Sequence, residues 1–144
     1  PMSLTILDKG ADVTDICSNV DFDTMASPGS WVVNPDWAAE NADVIVRFNR
    51  AMFKAMDFAA AATTDDAVAE EVAGYVSAIT GLDVESTIAQ RYDGSWLTSA
   101  QVLEMIDSGK LVDYYNAQQT NFGDAAGPLK ADEFVLVDLM INAK

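Results

Sequence analysis

Few residues in this chain could do chemistry. It has no histidine, which removes Ser-His-Asp and Cys-His nucleophile systems, the usual zinc sites and the commonest general base. One cysteine, Cys17, allows neither an internal disulfide nor a multi-cysteine metal site, and it reads as a small buried or half-buried residue. Acids are paired at Asp65/Asp66 and Glu70/Glu71. A metal site is one reading of them, and helix-start and surface charges are the expected one. Arg47, Arg50 and Lys54, three of the eight cations, fall on one side of the longest helical pattern. They form either an anion site or a solvated face that neutralises nearby acids, and the second is expected. Arg91, Tyr92 and Trp96 are either a stacking patch or core packing beside a surface arginine. Carboxylate or lysine acid–base catalysis stays open but needs a pair of perturbed groups in a cleft. A non-enzymatic protein without metal or cofactor is expected.

A single domain fits the 144 residues, half of them apolar, enough to bury one core. No apolar run approaches the ~20 residues that cross a membrane, so no membrane insertion is expected. The opening PMSLTILDKG has no basic n-region and no apolar h-region, and the absence of a Met before Pro1 suggests trimming or truncation. With 23 acids against 8 bases the net charge is −15. This argues against nucleic acid and anionic membrane surfaces as partners, and solubility is the plain explanation.

The elements that would position any site are mostly helical. Residues 1–26 read as a helix end, a turn at Gly10 and weak extended structure. Ser27-Pro28-Gly29 is a turn signal, and Ser30 to Val33 reads as a strand of β-branched and aromatic residues. Asn34 is a good N-cap with Pro35 after it, and Asn41 offers a second start. From there Val44, Ile45, Phe48, Met52, Ala55, Met56 and Ala59 recur at helical spacing. Phe53 and Val46 lie off that stripe, so the helix is expected to touch protein on more than one side. Thr63-Thr64-Asp65-Asp66 reads as a cap with acids in the first turn, and the helix after it has Val68, Val72, Tyr75, Val76 and Ile79 on one face, ending at Gly81. Asp83 caps a shorter helix with Val84, Ile88 and Tyr92 inward, followed by a turn at Asp93-Gly94. Thr98 to Gln101 fits a capping box, and Leu111 to Phe122 reads as another helix, with Leu111, Tyr114, Tyr115 and Gln118 at helical spacing. After the loop 123–128, Asp132 is expected to cap a last segment, Phe134–Ile141, where helix is preferred over strand. No β-α-β alternation is visible, so the expected class is mainly α with one or two short strands.

The order of these elements resembles a known family. The run G-S-W-V-V-x-x-D-W-A-x-E-N-x-D-V-I-V-R-F-N-R-A, from Gly29 to Ala51, is similar to the return segment of periplasmic solute-binding proteins of the nitrate/sulfonate/taurine type. Binders of thiamine-pyrimidine precursors belong to the same group. Trp37 stands for the family's aromatic and Ala42 for its proline, a departure that favours an uninterrupted helix. Asp65–Ala73, Thr80-Gly81-Leu82-Asp83, Trp96–Ile106 and Ala131-Asp132-Glu133-Phe134 resemble later family segments in the same order. Pro1–Gly10 is similar to the family segment that comes after a "W-E-P" run.

The resemblance implies part of a two-lobe α/β periplasmic-binding-protein (type II) fold. Residues 1–28 would be the tail of the second lobe and the hinge approach. Residues 29–144 would be a hinge-crossing strand (29–34) and C-terminal helices of the first lobe, one compact unit in this chain. The implied ligand-binding residues are Ser27, Gly29, Ser30 and Trp31, where the family's hinge borders the cleft. A glycine turn and a serine hydroxyl can hold an anionic headgroup, and a tryptophan can wall a pocket. The alternative is a plain turn followed by a buried strand. The implied role is solute capture for an ABC importer, of a sulfonate, nitrate, taurine or pyrimidine-like solute. A permease would be the partner, and the setting periplasmic or lipid-anchored extracytoplasmic. The chain alone would bind solute weakly and form homo-oligomers through uncovered apolar faces. A fungal branch of the family uses a histidine as reactant, and that chemistry is not available here. A self-contained helical protein-interaction domain, with no small-molecule role, is the competing expectation.

Overall fold

The computed structural model describes Gly10, residues 30–92 and residues 96–144. Among them the chain is mainly helical, with no strand. Two compact units divide it. Of the described residues, the first unit takes Gly10 and Phe58–Trp96; the second takes 30–57 and Leu97–Lys144. Gly10 is a turn residue with φ 68°. The expectations placed on 1–9, on 11–29 (the Ser27–Gly29 turn and Cys17 among them) and on Asp93-Gly94 lie outside the described residues.

The second unit opens with a correction. Ser30 to Val33, expected as a strand, forms none, and Trp31 and Val32 are exposed rather than buried. A strand needs a neighbour to take its alternate N–H and C=O groups, and no strand exists among the described residues to supply one. The helical reading resumes at Asn34. Its side chain accepts from Asp36 N at 2.9 Å and Trp37 N at 3.1 Å, starting α1 (Pro35–Glu40). At Asn41 the backbone N–H and the side-chain amide both donate to the Trp37 carbonyl, at 3.0 and 2.9 Å. Those bonds close α1, and α2 (Ala42–Ala61) runs on for 20 residues.

Helix α2 touches protein on more than one side, as its off-stripe residues Val46 and Phe53 suggested. Its buried residue is Phe53, packed with Val102 and Ala143 and flanked by Val46, Met56, Leu103, Ile106 and Met140. Val44 and Phe48, counted on the apolar stripe, are exposed. The inward face carries two polar residues that an apolar count overlooks. Asn49 Nδ2 donates to the Leu139 carbonyl at 3.3 Å, and Arg50 Nε to the Ala143 carbonyl at 3.4 Å. Carbonyls at a helix end need such partners.

Thr98 caps α5 (Ser99–Asp107) after the first unit's helices have intervened, and the capping box is complete. Gln101 N donates to Thr98 Oγ1 at 3.3 Å, and Thr98 N to Gln101 Oε1 at 2.8 Å. Gly109, at φ 77°, makes the left-handed turn into α6 (Lys110–Phe122), a backbone position that suits glycine. Helix α6 packs on α5, on the 3₁₀ turn Gly123–Ala126 and on α7 (Ala131–Phe134). The last apolar segment is helical but broken, because α8 (Val137–Ile141) begins only after an extended Val135. The start also differs. Lys130 is the cap residue, with its N–H bonded to Glu133 at 2.7 Å, and Asp132 lies inside the first turn.

In the first unit, Asp65 Oδ1 accepts from Ala67 N and Val68 N at 2.9 and 3.2 Å, starting α3 (Asp66–Thr80). Gly81, at φ 74°, ends it. Asp83 caps α4 (Val84–Ala89), which passes into the 3₁₀ turn Gln90–Tyr92 and packs on α3. Helix α3 buries its small side, Ala69 and Ala73, while Tyr75 and Ile79 stand exposed. Tyr92, expected inward, is also exposed.

Candidate functional site

Two of the four expected ligand residues, Ser27 and Gly29, lie outside the described residues. The other two part company. Trp31 is 76% exposed and meets the Phe48 ring edge-on, with centroids 5.4 Å apart and planes at 79°. Its ring packs on α2. Ser30 Oγ instead sits 2.8 Å from the Tyr115 hydroxyl, on the rim of an open groove along α6.

The groove encloses about 380 Å³, near the lower end of the usual range for small-molecule sites. Tyr115, Gln118, Gln119 and Phe122 come from α6, and Leu129 and Phe134 from the segment folded back against it. Two features shape it. Gln119 Nε2 donates to the Leu129 carbonyl, tying that segment to the helix. Tyr115 meets Phe134 edge-on at 6.0 Å and Tyr114 at 6.1 Å, the geometry that aromatic quadrupoles favour. Burial raises the Tyr114 pKa above the ordinary phenol value. No charged side chain is among the described lining residues. The arrangement can take a flat or apolar group with a hydroxyl and an amide at its edge.

Sequence reading placed Tyr115 and Gln118 on a helix face without a role and missed Gln119 and Phe122. The signal was there: 115, 118, 119 and 122 repeat at helical spacing with aromatic and amide side chains.

Of the remaining candidates, several have structural partners, and Lys54 and Glu70 are exposed. Arg47 pairs with Asp43 at 3.0 Å on an exposed turn, and Arg50 serves the Ala143 carbonyl. In the first unit Arg91 Nη1 lies 2.9 Å from Asp66, its guanidinium sits 4.7 Å from the Tyr92 ring centre, and its Nε is enclosed without an acceptor among the described residues. The Asp66 hydrogen bond raises the Arg91 pKa further. Trp96 Nε1 donates to the Arg91 carbonyl at 2.7 Å. The arginine is thus the inner member of the cluster, and Tyr92 and Trp96 are the exposed ones. Asp65 is a cap, and Glu71 accepts from the Tyr75 hydroxyl at 3.1 Å. No three His, Cys, Asp or Glu side chains group as metal ligands among the described residues. Nor is any helix there long and apolar enough to cross a membrane.

No family model, curated protein or solved structure matches this chain.

Proposed function

We propose that this chain is the C-terminal part of a solute-binding protein of an ABC importer, acting outside the cytoplasmic membrane. The solute class is the sulfonate, nitrate, taurine or pyrimidine-like one, and delivery is to a membrane permease. The protein is not an enzyme. Two lobes would close about a hinge, trap solute and present the closed form to the permease.

The observation that carries the reading is the ordered run of motifs from Gly29 to Phe134. Its helix starts at Asn34, Asp65, Asp83 and Thr98 coincide with caps in the fold. Ser30 at the rim of the α6 groove supports a ligand role for the stretch after Gly29. Large apolar residues left exposed, such as Val32, Ile79 and Phe122, suit helices that cover a sheet supplied by the rest of such a protein, and they favour self-association of this chain alone. The DNA upstream of Pro1 tests the proposal: it should encode a lobe with a parallel sheet in the same reading frame. Calorimetry of the 144 residues with taurine, alkanesulfonates, nitrate and pyrimidines should show weak or no binding. Tight binding, or an upstream frame without such a lobe, would overturn it.

The all-helical character of the described residues favours a second reading, a self-contained interaction domain. A monomer by light scattering at micromolar concentration, melting cooperatively, would decide for it.

A further inference from the structure

Ser30 to Val33 keeps the residue types of a strand without the pairing of one. Trp31, Val32 and Val33 are β-prone, and their backbone N–H and C=O groups make no hydrogen bond among the described residues. All three are exposed, at 76, 92 and 40%. The run is nevertheless held at both ends. Ser30 Oγ lies 2.8 Å from the Tyr115 hydroxyl, Asn34 caps α1, and the Trp31 ring rests on Phe48. A run fixed in this way loses little freedom on binding, and unpaired β-prone backbone is a template for pairing with another chain. No charged residue lies from Gly29 to Asn34, although the whole chain carries −15. Two copies can therefore meet here without setting like charges against each other. Pro28 and Pro35 bound the run, and proline cannot donate to a ladder, so any pairing stays short.

We propose that Ser30–Val33 is a pairing edge for a second copy of this chain, joined antiparallel about a two-fold axis at Val32. In that register the run is complementary to itself. Val32 stands opposite Val32 of the second copy, and Ser30 opposite its Asn34. Trp31 lies opposite Val33 of the second copy, an aromatic–β-branched pair of the kind that stabilises antiparallel strands. The contact is isologous, so it closes at two copies. It goes beyond association through apolar faces, because backbone bonds in one register define it, and it does not rest on the solute-binding reading.

Light scattering and hydrogen exchange of the 144-residue chain over a dilution series test it. Dimer should form as concentration rises, and alternate amides within 31–33 should gain protection with it. Val32→Lys and Val32→Glu each set like charges opposite each other, so each alone should dimerise roughly fivefold more weakly or worse. Mixed in equal amounts they should recover dimer, because opposite charges then face across the axis. Val32→Thr, β-branched and uncharged, should dimerise within about twofold of the unmodified chain. Val32 is 92% exposed, so these variants should fold, and far-ultraviolet dichroism checks that they do. A chain that stays monomeric to millimolar concentration overturns the proposal. So does a charged variant that dimerises like the unmodified chain, or a mixture that dimerises no better than its components. A dimer whose 31–33 amides exchange as in the monomer also overturns it, while leaving self-association through apolar faces, and the solute-binding reading, in place.

Discussion

Each of the two units is held together internally by its own kind of interaction. In the second, side chains reach far along the chain: Ser30 to Tyr115, Asn49 to Leu139, Arg50 to Ala143 and Asp57 to Ser99. Phe53 joins α2 to Val102 and Ala143. In the first, the polar ties are mostly caps within a few residues, and the Asp66–Arg91 pair reaches further than they do. Among its described residues the buried side chains are alanines, at positions 62, 69 and 73. Burying alanine removes little apolar area from water compared with burying phenylalanine. The second unit should therefore be sensitive to the loss of single large side chains, and the first to the loss of local helix signals.

The largest expected effect is Phe53→Ala. The side chain is 7% exposed at the centre of the cluster, and removing such a ring costs about 3–5 kcal/mol. Urea denaturation followed by far-ultraviolet dichroism measures it. At a dilution where the chain is monomeric by light scattering, Ile79→Ser, at a residue 87% exposed in the first unit, should change stability by no more than about 0.5 kcal/mol. Equal losses for the two would break the comparison, because they would mean that the α3 apolar face is covered in solution.

The same contrast explains how much could be read from the sequence. Helix starts at Asn34, Asp65, Asp83 and Thr98 were legible, because a cap is decided by residues within one turn. So was the end of α3 at Gly81, where φ is 74° and only a glycine sits without strain. The inward face of α2 was legible only in part: Val46 and Phe53 were expected to touch protein and do, and its polar contacts were not foreseen. Asn49 and Arg50 point at the carbonyls of residues 139 and 143, and a count of apolar positions assigns them to water. The expected strand at Ser30–Val33 failed for a related reason: β-propensity describes a residue's fit to a sheet that must exist elsewhere. At the other end, the helix expected over Phe134–Ile141 is interrupted at Val135, a β-branched residue that accepts extended geometry. In the candidate site, Ser30 was singled out by its neighbours in sequence, and it lies at the groove rim. Tyr115, Gln119 and Phe122 join it only through packing of α6.

Asp65→Ala sharpens the comparison from the other side at a smaller magnitude. It strips the acceptor from Ala67 N and Val68 N and should cost about 1 kcal/mol. Hydrogen exchange should locate the loss in the first turns of α3, with the α6 amides unchanged. Loss spread evenly over both units would show that the first does not depend on local signals in the way its bonds suggest.

The smallest expected effect is a pH dependence at the start of α4. Ser86 donates to the Asp83 carboxylate, its N–H at 2.8 Å, and these bonds favour the ionised form, setting the Asp83 pKa below its ordinary value. A carboxylate with a lowered folded-state pKa binds fewer protons folded than unfolded. Its contribution is therefore fully present above the unfolded pKa and fades as acid titrates the folded one. Exposure of the group keeps the effect small. Nuclear magnetic resonance titration of the Asp83 carboxyl and the Ser86 amide should show a shared step below the ordinary aspartate range. In Asp83→Asn, which retains a cap acceptor without a titrating group, the step should vanish from the Ser86 amide while α4 stays formed. A titration at or above the ordinary value would mean that the cap is open in solution, and that even the first unit's local bonds are weaker than its geometry implies.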